Sequence, residues 1–334
     1  MDDTPRWYFD FISPFAYLHW RKVKALLDER EVELVPVVFA AVLAAHGQKG
    51  PAEIPGKREF TYRHVLWQAR REGVTMRFPP AHPFNPIAAL RLCIAAGNTP
   101  QAVDAIFNWI WARGESGDSV EALVPVAAAL GIDIDTVNGE ATKRELRANT
   151  DAALAAGVFG VPTLAFGNEL FWGNDAHELA LAALRDPAIM ADAEMQRLNT
   201  LRFPPAHPFN PIAALRLCIA AGNTPQAIDA IFDWIWARGE SGDSVAALVP
   251  VAAALGIDID TVNGDATKRA LRDNTDAALA AGVFGVPTLA FGNELFWGND
   301  AHEFALAALR DPTVMADAEM QRLTALPVGV SRRT

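Results

Sequence analysis

Residues 77–198 of this chain are written a second time as residues 202–323, at an offset of 125 and with nine differences over 122 positions, Leu179/Phe304 among them. Arg77-Phe78-Pro79-Pro80-Ala81-His82-Pro83-Phe84-Asn85-Pro86 returns as Arg202 to Pro211. An internal repeat has to be recognised before any fold is assigned. Here the first 76 residues occur once, so one N-terminal segment faces two near-identical C-terminal segments. A site built from both halves therefore has at most one complete copy per chain.

Without one repeat the length is roughly 209 residues, which suits a single α/β domain with an insertion. A hydrophobic content of 51% is ample for a packed core and argues against disorder. The net charge of −11 and the absence of a Lys/Arg block interleaved with aromatics argue against nucleic-acid binding. No basic leader precedes the first strand, and the longest apolar runs, such as Ala122 to Leu130, are too short to span a bilayer. A cytoplasmic protein is expected. The two cysteines, Cys93 and Cys218, are one residue in two copies, set in apolar helical sequence. They read as small buried hydrophobes. With no CxxC, neither thiolate metal binding nor dithiol redox chemistry is expected.

The order of elements follows from periodicity and caps. Arg6 to Ile12 is short and aromatic, as a strand is. Ser13-Pro14 is a favoured N-cap followed by a favoured first helical residue, and the helix runs from Phe15 to Glu29. Val32 to Phe39 reads as a second strand in which Pro36 favours an edge. Residues 41–155 turn helical. Gly160 to Phe166 and Glu169 to Trp172 then read as strands around a Gly167-Asn168 turn, before a last helix from Ala176 to Arg185. The pattern β-α-β, helical insertion, β-β-α predicts an α/β fold of the thioredoxin type with an inserted all-helical domain, followed by a partial second copy. Residues 1–40 and 156–198 form the thioredoxin-like domain and 41–155 the insertion. Residues 202–280 duplicate the helical segment, 281–323 the β-β-α half, and 324–334 are a tail without periodicity.

Ser13 stands where thioredoxin-like proteins carry the first cysteine of C-P-x-C, and Ala16 where they carry the second. A hydroxyl forms no disulfide, but it donates a hydrogen bond to a thiolate, and a helix N-terminus lowers a nearby thiol's pKa. A plain Ser-Pro cap explains the motif equally well. Val161-Pro162 falls where these folds place a cis-proline, and Val161 there could pair with a peptide-like ligand as an added strand. Asn174-Asp175 reads first as a helix cap, and second as a carboxylate for a ligand's ammonium group. His82, between prolines, reads as a loop histidine. Trp67, Trp109, Trp111 and Trp172 read as core.

Five segments together carry a resemblance: Tyr8 to Leu18, Pro55-Gly56-Lys57-Arg58, Phe78 to Pro86, Gly160-Val161-Pro162-Thr163 and Phe171-Trp172-Gly173-Asn174-Asp175. Over residues 5–198, and in truncated form over 202–323, the chain resembles 2-hydroxychromene-2-carboxylate isomerases, which group with kappa-class glutathione transferases in the DsbA-like branch of the thioredoxin fold. The resemblance implies a glutathione-dependent isomerase that converts 2-hydroxychromene-2-carboxylate to trans-o-hydroxybenzylidenepyruvate by reversible thiolate addition. A kappa-like transferase on another electrophile, or a glutathione-binding scaffold with little turnover, are the alternatives. It places Ser13 at the glutathione sulfur, Val161 and Pro162 at its cysteinyl backbone, Asn174 and Asp175 at its γ-glutamyl end and Lys57 near its glycyl carboxylate. It places Phe15, Tyr62 and Asn85 at the aromatic substrate, and no metal. Gln48 departs from the Asn expected in related transferases.

Contiguity favours the first copy as the one that completes the fold. The second copy would then be left with an apolar sheet face and an unpaired edge, and homodimerisation or higher self-association is expected from it.

Overall fold

A computed structural model describes residues 4–191 and 205–331. Backbone contacts divide the chain into two compact units, one of residues 1–181 with 284–334 and one of 182–283.

The first unit is organised by four short strands, β1 (Arg6–Phe9), β2 (Glu33–Pro36), β3 (Thr163–Phe166) and β4 (Glu169–Trp172), in the order β2-β1-β3-β4. β1 runs parallel to β2 and antiparallel to β3, and β3–β4 is an antiparallel hairpin. Pro36 ends the edge strand β2, where a missing N–H costs least. The first copy of the repeat thus completes the sheet. The fold is the thioredoxin-like α/β fold expected, with a helical insertion and a partial second copy behind it.

Helix α1 (Pro14–Leu27) starts as its sequence dictates, with Pro14 at N1 and the Ser13 side chain accepting from Ala16 N. The side chains of β1 alternate between two layers. Trp7 and Phe9 stack on one face, with centroids 4.4 Å apart, and meet Trp20 of α1 and Phe107. Tyr8 faces the other way, with Val35, Val158 and Val161. Trp7, Phe9 and Trp20 are almost fully enclosed, and truncating an aromatic of this kind to Ala costs ~3–5 kcal/mol.

The insertion opens with α2 (Phe39–Ala45), whose N-cap Val38 has no side chain to cap it, and continues through α3 (Lys57–Arg71), α4 (Ile87–Ala95) and α5 (Pro100–Phe107). A π-turn at Asn108–Ala112 follows α5. Then come α6 (Val124–Leu130) and α7 (Glu140–Ala155). The strands are shorter than expected at both ends of the chain's first half: Asp10 to Ile12 form a turn, because their polar groups are spent on it and not on a ladder. α8 (His177–Arg185) follows β4.

The second copy's hairpin, β5 (Thr288–Phe291) and β6 (Glu294–Trp297), forms its own two-stranded sheet within this unit. It does not expose all its apolar surface, as expected for an orphan. Part of it packs on α3: Phe60 meets Phe284 and Trp297, and Trp67 stacks on Phe304 at 5.2 Å. Arg63 pairs with Glu294 at 2.8 Å. The tail beyond Thr324 is also engaged, since His82 N donates to Pro327 O and Gly329 N to Pro83 O.

The second unit is helical, with a core of Leu217, Ile231, Ile235, Leu248, Val251 and Val262. Phe232 and Trp236 are exposed there, although their first-copy counterparts Phe107 and Trp111 are fully enclosed. Among the described residues no helix is long and apolar enough to cross a membrane.

Candidate functional site

The topology brings three of the anticipated pieces to one end of the four-stranded sheet. β1 ends at Phe9 and leads to Ser13. Because Tyr8 pairs with Thr163 in the antiparallel register, Val161-Pro162 falls beside that same end. Thr163 also pairs with Trp172, and Gly173 N donates to Pro162 O at 2.9 Å, so Asn174 and Asp175 follow from there. The Val161-Pro162 peptide is cis.

The turn that carries Ser13 is held from several sides. Asp10 accepts from Ile12 N at 3.0 Å and Phe39 N at 2.9 Å, so one carboxyl ties the turn to the start of α2. Trp111 Nε1 donates to Phe11 O at 2.8 Å, and His82 Nε2 to Ile12 O at 2.8 Å. The Tyr62 hydroxyl lies 2.6 Å from His82 Nδ1. With Nε2 donating, His82 is the neutral tautomer whose Nδ1 accepts. Burial pushes its pKa down to about 4, against the Ile12 carbonyl, which acts in the opposite sense. Burial also raises Asp10 to about 7, although two backbone N–H groups favour its ionised form. Neither residue was singled out as functional. Asp10 could have been noticed as a lone acid inside an aromatic run, whereas nothing local marks His82, which lies in a loop, as read, but is buried there.

Ser13 is nearly enclosed, and its Oγ accepts from Ala16 N at 3.1 Å, which leaves its proton to give away. The Val161 main chain has no hydrogen-bond partner among the described residues, so a ligand backbone could pair with it. Asn174 is buried, and its side-chain oxygen Oδ1 has no partner either. An acceptor of this kind costs about 1–3 kcal/mol unless something donates to it. Asp175 beside it is exposed. A Cβ at Gly173 would run into the Asp175 carboxylate, and φ there is 100°, so the position requires glycine.

A hydrogen-bonded series fixes the next helix. Trp7 Nε1 donates to His19 Nδ1 at 3.0 Å, so His19 carries its proton on Nε2, 3.0 Å from His177 Nδ1. Burial lowers both histidine pKa values, and for His19 the neighbouring His177 adds to it. Lys22 Nζ donates to Asn174 O.

Other anticipated residues lie elsewhere. The Lys57 ammonium sits 4.0 Å over the Trp297 ring of the second copy, and burial lowers its pKa. Tyr62 is enclosed, with its hydroxyl engaged at His82, so it is a core residue and not a substrate contact as expected. Phe15 is half-buried at the start of α1. Asn85 is exposed, and its side chain accepts from Ile87 N at the start of α4, a capping role. Gln48 lines a cavity of about 640 Å³ with Lys49, Ile54, Arg58, Pro83 and Val328. Trp172 is exposed, contrary to its reading as core, because β4 is an edge strand. Cys93 is enclosed, and burial raises its thiol pKa. No cluster of metal-ligand residues occurs among the described residues.

The DSBA-like thioredoxin domain family matches residues 6–185 and again 189–310. A 2-hydroxychromene-2-carboxylate isomerase of Pseudomonas putida is 30% identical over 182 residues, which cover 50% of this chain and 87% of that protein. The Sphingobium xenophagum protein of the same name is 29% identical over 196 residues, 56% of this chain and all of its own length. Glutathione S-transferase kappa 1 of Rattus norvegicus is 22% identical over 47% of this chain and 77% of its own. A solved structure of a 2-hydroxychromene-2-carboxylate isomerase aligns with a TM-score of 0.49 at 24% identity, over 57% of this chain and 98% of its own. The chain belongs to the DSBA-like thioredoxin domain family, as a relative of the 2-hydroxychromene-2-carboxylate isomerases and, at lower identity, of the kappa-class glutathione transferases.

Proposed function

We propose that this protein is a glutathione-dependent isomerase of an aromatic enone acid, with 2-hydroxychromene-2-carboxylate as the substrate that its relatives' names suggest. The observation that carries the reading is a set of unmet bonds at one sheet end: the Ser13 proton, the Val161 main chain and the buried Asn174 oxygen. These match a tripeptide thiol group by group. Ser13 faces the sulfur, Val161 pairs with the cysteinyl backbone in strand fashion, and Asn174 with Asp175 takes the γ-glutamyl ammonium. Glutathione, when bound, supplies a nucleophilic thiol whose reversible addition to the alkene permits rotation about the former double bond.

Ser13 then donates to the thiolate at the N-terminus of α1, where the Phe15 N–H and the helix dipole also favour negative charge. Val161 fixes the ligand backbone and with it the position of the sulfur. Asp175 neutralises an ammonium group at the rim. The compartment proposed is the cytoplasm, where thiols stay reduced. A kappa-like transferase is the second reading, supported by the rat relative.

The test is turnover of 2-hydroxychromene-2-carboxylate with and without glutathione, in the wild type and in Ser13→Ala. Isomerisation that requires glutathione but does not consume it, and that falls at least about tenfold in the variant, supports the proposal. Consumption of glutathione supports the transferase. Full activity without glutathione, or in Ser13→Ala, refutes the role given to Ser13.

A further inference from the structure

Gly173-Asn174-Asp175-Ala176-His177 returns unchanged as Gly298-Asn299-Asp300-Ala301-His302, yet the two stretches differ in conformation. In the second copy Asn299–Ala301 wind into a 3₁₀ turn, Ala301 N donates to Gly298 O, and Asn299 and His302 are exposed. In the first copy residues 174–176 form a turn outside any helix, and Asn174 and His177 are only 7% and 5% exposed. Local sequence cannot account for the difference, so the surroundings must. The second loop lies by α3, with Asp300 3.9 Å from His64. The first loop meets α1, which occurs once, through two side chains three residues apart on one face of that helix. His19 Nε2 donates to His177 Nδ1 at 3.0 Å, with Trp7 Nε1 fixing the imidazole from its other nitrogen, and Lys22 Nζ donates to Asn174 O at 3.2 Å. Helical side chains lean toward the N-terminus of their helix, so both reach back toward the end that carries Ser13.

We propose that Lys22 and the His19–His177 pair are positioning residues for the γ-glutamyl end of the thiol ligand. The inference rests on the glutathione reading given above. These side chains hold the Asn174-Asp175 turn against α1 and out of the 3₁₀ form that the same residues take without them. The helix that begins at Ser13 thereby also sets where the Asn174 side chain and the Asp175 carboxylate stand. One rigid element fixes both the place of the sulfur and the place of the ammonium. Lys22 takes the main-chain oxygen of Asn174, so the buried side-chain oxygen, which has no partner, is left for a ligand donor. The hold acts on one end of the ligand only. A thiol that lacks the γ-glutamyl group is indifferent to it.

The test uses the full chain and two ligands, glutathione and cysteinylglycine, which keeps the thiol and lacks the γ-glutamyl group. Binding of each is measured by calorimetric titration in the wild type, Lys22→Met, Lys22→Arg and His177→Ala. Lys22 is half-buried, so Lys22→Met is the deciding variant should His177→Ala fail to fold. Lys22→Met should weaken glutathione at least about fivefold and leave cysteinylglycine unchanged, and Lys22→Arg should restore most of the loss. In turnover the same variant should raise KM for glutathione and keep kcat. Equal weakening of both ligands overturns the proposal, because the loss is then one of general structure. So does undiminished glutathione binding in Lys22→Met. A wild type that binds cysteinylglycine as tightly as glutathione overturns it as well, and with it the roles of Asn174 and Asp175. A wild type that binds no glutathione refutes the functional reading itself, and the inference falls with it.

Discussion

Asp10 gives the sharpest quantitative test, because two effects on its carboxyl oppose each other. Burial disfavours the charge, while the amides of Ile12 and Phe39 favour it, and burial prevails with a pKa of about 7 against an ordinary 3.8. Below pH 3.8 the carboxyl is protonated in folded and unfolded chains alike. Between 3.8 and 7 the unfolded chain gives up the proton and the folded chain keeps it, so stability falls by up to ~1.4 kcal/mol per pH unit. Over the whole window the loss approaches ~4 kcal/mol, and above pH 7 it levels off. Asp10→Asn does not titrate. Its amide oxygen satisfies one of the two N–H groups and its NH₂ faces the other, at a cost of about 1–3 kcal/mol. The variant should therefore be the less stable protein at pH 4 and the more stable one at pH 8. Native-state hydrogen exchange of the β1 and β3 amides at several pH values measures this in the unit that contains Asp10. Parallel pH profiles for the two proteins would refute the reasoning, and would mean that the two amides keep the carboxylate ionised despite burial.

The two repeats provide a matched pair. Asp175→Ala should weaken glutathione binding roughly 10- to 100-fold, the loss of one charge-assisted bond. Asp300→Ala should leave it unchanged, since the second copy's hairpin has no β1 beside it; calorimetric titration of both variants decides it, and the reverse ranking would move the site to the second copy. Insulin reduction should stay at the buffer background, because Ser13 and Ala16 stand where a dithiol would need two sulfurs. A rate clearly above that background would overturn this.

Local chemistry made much of the site's framework readable in advance. Ser13-Pro14 marks a helix start and Gly167-Asn168 a hairpin, because each cap or turn is satisfied within a few residues. What stayed hidden depends on distant partners. The start of α2 at Phe39 is hidden in a stretch that reads as strand, because its first amide is met by Asp10, 29 residues upstream. Val32 to Phe39 looked like one long strand for the same reason. His82 is a loop residue whose burial nothing nearby announces, because its partners, Tyr62 and Ile12, are 20 and 70 positions away. Tyr62 was assigned to substrate for want of that same information. The seating of the second hairpin on α3 is unreadable because identical sequence gives no hint that only the first copy meets β1.

The π-turn carries a consequence of its own. It forms at Asn108–Ala112, where Trp111 reaches the Phe11 carbonyl inside the aromatic core, and again at Asp233–Ala237, although the segment containing Phe11 is not duplicated. In both places a tryptophan closes the turn on a serine carbonyl, Trp109 to Ser116 O at 2.9 Å and Trp234 to Ser241 O at 3.0 Å. The widened turn thus depends on the repeated helices around it and not on the Phe11 segment. Moved with those helices into another protein, it should bring its geometry with it, and Trp111 would count as a tenant of that geometry and not its builder.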